Sequence, residues 1–282
     1  METCTSMRTH LLIRLCCIIF TLCCMSFSAA QTKLILSAPP RETPQAGQEQ
    51  YGVIAKELSK VLGMEVVYEH PGNWTNYAAL MRAGKYDILF DGPHFAAWRM
   101  KHVNHVPVVR LPGALKFLIL AHAENNQIKS LRDLIGKNIC GLASPNLGTM
   151  AVFALYENPV IQPEIKVIKG GMKNVLQAFL RGECEAAVVR DKVYLSLPQE
   201  KKDLIKIIDK SEDMPNQTIT VSTKISVYNR DKIQKFLVSK EGAKTAEKLL
   251  GIYSRNNKIF LPADINEYMG LEKLIEGVVY GW

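Results

Sequence analysis

The chain lacks most of what would mark it as an enzyme. It has no His-Glu-x-x-His pair, no Gly-x-Ser-x-Gly elbow and no glycine-rich loop ending in Gly-Lys-Ser/Thr. Those absences remove the common zinc-protease, α/β-hydrolase and P-loop readings. Past residue 30 the histidines are His70, His94, His102, His105 and His122. His102 and His105 lie three apart, but nearby acids do not complete a metal set, so no metal and no cofactor are expected. No internal repeat and no low-complexity linker breaks the chain. Past the first 30 residues no apolar run reaches the ~20 residues that a membrane-spanning helix needs.

Cysteine is scarce as well. Five of the seven, Cys4, Cys16, Cys17, Cys23 and Cys24, fall before residue 30, which leaves Cys140 and Cys184. The first segment has its own logic. Arg8 and Arg14 give a positive start, Leu11 to Met25 is mostly apolar, and Ser28-Ala29-Ala30 places small residues at a cleavage point. Residues 1–30 therefore read as a cleavable signal peptide, with a soluble exported chain starting near Gln31. Bulky Leu22 or Cys23 before each candidate cysteine argues against a lipoprotein anchor. In an oxidising compartment Cys140 and Cys184 are disulfide candidates, and two buried free thiols are the alternative.

Charge is only moderately one-sided, with 35 Lys+Arg against 27 Asp+Glu. Removing Arg8, Arg14 and Glu2 leaves 33 against 26, a net charge of +7. The basic residues are dispersed and no nucleic-acid motif accompanies them, so the balance points to a small anionic ligand rather than nucleic acid.

What is present is an alternation of short apolar runs and amphipathic segments, the pattern of an α/β fold. Strands are expected at Lys33–Ser37, Glu65–Glu69 and Tyr86–Phe90. Helices are expected around Tyr51–Leu62, Thr75–Arg82 and Pro93–Met100. A second set follows: a capping box at Ser130 and Asp133, strands at Lys137–Leu142, Ile165–Ile168 and Ala186–Val189, and helices at Thr149–Glu157 and Asn174–Arg181. Two such sets predict two lobes with two chain crossings, near Leu115–Leu120 and near Thr218–Ser222. Residues 31–115 and 221–282 then form the first lobe, and 116–220 the second. A single doubly wound domain is the competing architecture.

Ligands of such sheets bind beyond the carboxyl ends of the strands. Three loops stand there. Ser144-Pro145-Asn146-Leu147-Gly148-Thr149 opens a helix, where free N–H groups favour an anion, Gly148 permits close approach, and Ser144 or Thr149 adds a hydroxyl. Asp91-Gly92-Pro93-His94 offers an acceptor for an acidic P–OH and a ring donor, or else a helix cap and a surface histidine. Arg190 offers a bidentate fork to an oxyanion, or pairs with a carboxylate such as Asp191. Arg41, Trp74 and Tyr77 are further candidates to line the cleft. Cys140 and Cys184 lie in or beside strands, where a structural role outweighs nucleophilic attack, so no catalytic residue is assigned.

Several of these stretches look familiar as a group. Ser-Ala-Pro-Pro-Arg-Glu at 37–42, Gly-Asn-Trp at 72–74, Tyr-Asp-Ile-Leu-Phe-Asp-Gly-Pro-His-Phe at 86–95, Pro-Asn-Leu-Gly-Thr at 145–149 and Tyr-Met-Gly-Leu at 268–271 resemble the phosphate/phosphite/phosphonate-binding periplasmic components of ABC transporters. The resemblance implies a two-lobed type II periplasmic binding fold with two interlobe crossings. It also implies a phosphorus oxyanion on the N-terminus of a second-lobe helix, at Asn146, Gly148 and Thr149, and His94 where relatives often carry Tyr. Many relatives have a Ser/Thr-rich turn where this chain has Pro145-Asn146-Leu147, and Arg190 argues against a ligand with an amine tail. The expected protein is a periplasmic monomer that closes on its ligand and docks on an ABC permease. An exported sensor of the same fold reporting to a sensor kinase is the main rival. An enzyme built on this fold, with Cys140 or Cys184 as nucleophile, is the other.

Overall fold

The alternating pattern resolves into two α/β lobes in a computed structural model that describes residues 33–156, 158, 160–254 and 258–276. The signal peptide expected over 1–30 lies outside the described residues. The first lobe starts with β1 (Leu34–Ser37), α1 (Val53–Leu62), β2 (Val66–Tyr68), α2 (Trp74–Arg82), β3 (Ile88–Asp91), α3 (Pro93–His102) and β4 (His105–Arg110). The short strand β5 (Ala114–Leu115) leads out of it. The second lobe contains β6 (Phe117–His122), β7 (Asn138–Gly141), α4 (Leu147–Ala154), β8 (Glu164–Val167), α5 (Met172–Leu180), β9 (Ala186–Arg190), α6 (Asp191–Leu195) and β10 (Ile205–Lys210). The chain returns through β11 (Met214–Pro215), then adds β12 (Thr218–Ser222), α7 (Val227–Val238), α8 (Lys240–Thr245), α9 (Glu247–Tyr253) and β13 (Leu261–Pro262).

The first sheet has the order β13-β4-β12-β3-β1-β2 and the second β10-β6-β9-β7-β8. β1, β2 and β3 run parallel, as do β7, β8 and β9, so each lobe presents a cluster of carboxyl strand ends. The lobes are joined where β5 and β11 pair antiparallel, Ala114 opposite Pro215 and Leu115 opposite Met214.

Those crossings differ from the expected ones. Phe117–His122 is a strand of the second sheet and Thr218–Ser222 a strand of the first, so residues 218–220 sit with the first lobe. Phe117–His122 reads as a connecting run because a strand covered on both faces is continuously apolar. Thr218–Ser222 reads as a strand, whose place in the first sheet is set by its pairing with β3 and β4. Phe117, Ile119 and Ala121 face a cluster with Ala151 and Val152 of α4. Leu118 and Leu120 face Val175 and Phe179 of α5.

Local sequence explains the helices. Tyr51, Ile54, Ala55, Leu58 and Leu62 recur at helical spacing and are all buried, so α1 and the turn before it cover the first sheet. α1 stops at Gly63, which takes φ +64 and gives its N–H to the Ser59 carbonyl. The Ser130/Asp133 capping box is formed and opens the 3-10 turn Leu131–Leu134.

The lobes also meet away from the crossings. Met150 of α4 is buried in an aromatic cluster of the first lobe with Tyr77, Phe95, Trp98 and Ile275. A 3-10 turn, Leu271–Leu274, packs both on this cluster through Leu274 and on the second-lobe core.

Candidate functional site

The first-lobe candidates are engaged in holding the fold. β3 delivers Asp91 to its carboxyl end, and Gly92-Pro93 opens α3 with proline at the favoured first position. Asp91 does not reach the cleft. It is fully buried and clasped by Arg99, Nη1 to Oδ2 at 2.5 Å and Nη2 to Oδ1 at 2.9 Å. Arg99 Nη2 also donates to Thr220 Oγ1 at 2.7 Å, and the Tyr77 hydroxyl donates to Asp91 Oδ2. Burial first, and then the Asp91 charge, raises the Tyr77 phenol well above its ordinary value, so it remains a donor. The expectation that Asp91 accepts from the ligand and Tyr77 walls the cleft is therefore corrected: a buried guanidinium demands a full set of acceptors, and these two residues serve it.

His94 is likewise buried. Its Nε2 lies 3.0 Å from the Pro145 carbonyl, which can only accept, so Nε2 carries the proton. Nδ1 has no partner among the described residues. Instead of donating to an oxyanion as expected, this N–H ties α3 of the first lobe to the β7–α4 loop of the second. Burial pushes the His94 pKa down to about 4 against the weaker upward pull of the Pro145 carbonyl. His105, buried between Thr220 and the Tyr86 carbonyl, falls to about 3 for the same first reason. Both folded values lie below the ordinary 6.5. The unfolded chain therefore binds more protons between pH 6.5 and about 3, and stability falls as pH drops through that window. Thermal midpoints are expected to be level from pH 7 to 8 and several degrees lower at pH 5. His94→Gln, which keeps a donor for Pro145, should show a shallower fall.

Trp74 follows the Asn73 cap of α2, 38% exposed, edge-on to Tyr77 and stacked on Phe95. Arg41 is exposed, gives Nη1 to Gln217 Oε1 at 3.1 Å, and stands 5.8 Å from the centroid of the Tyr253 ring.

In the second lobe, the loop after β7 is organised by its own side chains. Asn146 caps α4 by accepting from the Gly148 N–H at 3.0 Å. The buried Thr149 hydroxyl donates to the Leu142 carbonyl at 2.6 Å. A Cβ on Gly148 would stand 2.8 Å from Phe117 Cδ1 and 3.2 Å from Met172 Cε, so only glycine lets the start of α4 approach this closely. Ser144 is half-buried, and its hydroxyl makes no hydrogen bond among the described residues. Met172, at the start of α5, accepts from the Arg190 N–H at 3.3 Å. The starts of α4 and α5 thus converge with the end of β9. Cys140 of β7 and Cys184, just before β9, are joined in a disulfide with Cα atoms 5.6 Å apart.

Arg190 faces a cavity of about 670 Å³ between the lobes. Arg190, Lys173 and Lys192 form its second-lobe wall, Ile252 and Tyr253 at the end of α9 its first-lobe wall, and Gly113 and Asn216 its floor beside the crossings. No acid lines it. Among the described residues Arg190 Nε is buried without an acceptor, and Nη2 has only a long contact to the Ala114 carbonyl at 3.5 Å. Burial lowers the Arg190 pKa and Asp191 opposes that. Among the described residues none of the three cations is in an ion pair. Lys173, Lys192, Asn216 and Tyr253 escaped the sequence reading because the cavity forms from segments far apart in the chain. The one local signal was a lysine in the first turn after Gly170-Gly171. Among the described residues no group of His, Cys, Asp or Glu could hold a metal, and no helix is long and apolar enough to cross a membrane.

Two α/β lobes on paired crossings, with a cationic cavity between them beside the carboxyl end of β9, define a bilobed solute-binding protein. The chain belongs to the family described as ABC transporter, phosphonate, periplasmic substrate-binding protein, whose model matches residues 36–268. It is a transport component and not an enzyme. The chain is 22% identical over 238 residues to the phosphate-import protein PhnD of Mycolicibacterium smegmatis, covering 76% of this chain and 74% of that protein. Solved structures share its fold. A binding component of an ABC phosphonate transporter from Pseudomonas aeruginosa aligns with TM-score 0.57 and 16% identity over 86% of this chain and 85% of that one. PhnD1 of Prochlorococcus marinus, in complex with methylphosphonate, aligns with TM-score 0.60 and 14% identity over 86% and 96%.

Proposed function

We propose that this protein captures a phosphorus oxyanion in the interlobe cavity, with Arg190 as its principal anchor, and carries it outside the cytoplasmic membrane to an ABC permease. The observation that supports this most is an arginine whose buried Nε has no acceptor, on a cavity wall without acids, among the described residues. A guanidinium fork matches the paired oxygens of a phosphonate or phosphate, and such charge-assisted bonds are about twice as strong as neutral ones. The methylphosphonate bound by PhnD1 and the phosphate import of the mycobacterial relative are consistent with this class of ligand.

Closure follows from which residues share the ligand. Arg190 and Lys173 belong to one lobe, Tyr253 to the other, and the β5/β11 pair lies between them. A ligand that touches both walls binds the closed form more tightly than the open one, and only that difference drives closure. Arg190→Ala removes the fork and leaves the ligand's charge unmatched, which costs about 2 kcal/mol or more. The expected result is at least a ~30-fold loss of affinity for methylphosphonate or phosphate by calorimetric titration, with an unchanged melting midpoint in the absence of ligand. An affinity within threefold of the parent protein would remove Arg190 from the site.

A further inference from the structure

We infer that the natural ligand carries a second acidic group on an organic body, and is neither a bare inorganic oxyanion nor an amino-phosphonate. The inference rests on the cavity being the ligand site and goes further in naming the ligand's chemistry.

Three observations carry it. The first is size. At about 670 Å³ the cavity falls within the range of roughly 300–1,000 Å³ that holds molecules of drug size, far more than one tetrahedral anion occupies. The second is charge. Arg190, Lys173 and Lys192 stand on one wall with no acid in the lining and no ion-pair partner among the described residues. One phosphonate carries at most two charges, so a single phosphorus group on Arg190 leaves positive potential around Lys173 and Lys192 unmatched. Both lysines are exposed, and their stems reach from α5 and α6, different elements from the strand that ends in Arg190. A second acid at a distance from the first satisfies this spread, while an ammonium group would meet repulsion from all three. The third is the opposite wall. Ile252 and the Tyr253 ring present carbon surface, with the Arg41 guanidinium 5.8 Å from the ring centroid. That surface suits an organic body lying between the two acids.

The test is calorimetric titration of the ligand-free protein with methylphosphonate, phosphonopropionate and aminoethylphosphonate at one ionic strength. Phosphonopropionate is expected to bind at least about tenfold more tightly than methylphosphonate, and aminoethylphosphonate more weakly than either. In the double variant Lys173→Gln/Lys192→Gln, with the circular dichroism of the parent protein, the tenfold ratio should shrink to about twofold or less. Methylphosphonate binding as tightly as phosphonopropionate would overturn the second acid while leaving the oxyanion site standing. A ratio unchanged in the double variant would overturn the assignment to these lysines. No binding of any of the three would bring down both the inference and the site on which it rests.

Discussion

Asp91→Ala is expected to destabilise the protein by about 3–5 kcal/mol, because it strands a buried charge. Asp91 and Arg99 are both wholly inaccessible to solvent, and both carboxylate oxygens accept from the guanidinium. Without Asp91, Arg99 keeps only Thr220 Oγ1 and a long contact from Nη1 to the Met81 sulfur, and the Tyr77 hydroxyl loses its acceptor. Arg99 cannot shed its proton within the accessible pH range, so the cost falls on stability. The pair itself is worth much less than its disruption suggests, since an apolar replacement of similar volume also removes the desolvation penalty. Asp91→Leu/Arg99→Met is therefore expected to recover most of what the single variant loses. Urea midpoints of the parent, single and double variants decide the matter. Equal losses in the single and double variants would mean that packing, not the stranded charge, sets the effect.

The disulfide gives the second large effect. Cys140 and Cys184 are 44 residues apart in sequence, and closing a loop of that length restricts the unfolded chain by about 4 kcal/mol in the chain-entropy treatment. The bond ties the middle of β7 to the turn that feeds β9, two adjacent strands at the heart of the second sheet. Reductant should lower the thermal midpoint of the parent protein substantially. Cys140→Ala/Cys184→Ala, set in a cluster of Leu118, Val175 and Phe179, should already melt low and respond no further to reductant. A parent midpoint indifferent to reductant, with both thiols shown to be titratable, would refute the stabilising role.

Much of the architecture was legible before the structure because it is written in local periodicity. The α1 face at Tyr51, Ile54, Ala55, Leu58 and Leu62 and the Ser130/Asp133 capping box depend only on residues within a turn or two of each other. The first crossing was drawn over Leu115–Leu120 because that run is apolar on both faces, and periodicity cannot separate a doubly covered strand from a connecting run. The second was drawn at Thr218–Ser222 because its alternation marks a strand without showing which sheet it joins. The candidate site was less legible. Asp91 stands at a strand end before Gly-Pro, as a ligand contact would, yet its partner Arg99 lies two helical turns on and Thr220 comes from β12. His94 faces the other lobe's Pro145, a pairing that exists only once the lobes come together. Arg190 could be singled out from its place at the end of β9. Tyr253 could not, because nothing in its neighbourhood in sequence shows that α9 ends opposite Arg190.

In the proposed function the interlobe cavity holds a phosphorus oxyanion on Arg190. Calorimetric titration of ligand-free protein with methylphosphonate and phosphate, on the parent and on Arg190→Ala, tests it most directly. The expected result is saturable one-site binding of a phosphorus oxyanion by the parent, and its loss in the variant while the fold is retained. Saturable binding that survives Arg190→Ala unchanged, or no binding of either anion by protein shown to be ligand-free and folded, would contradict it.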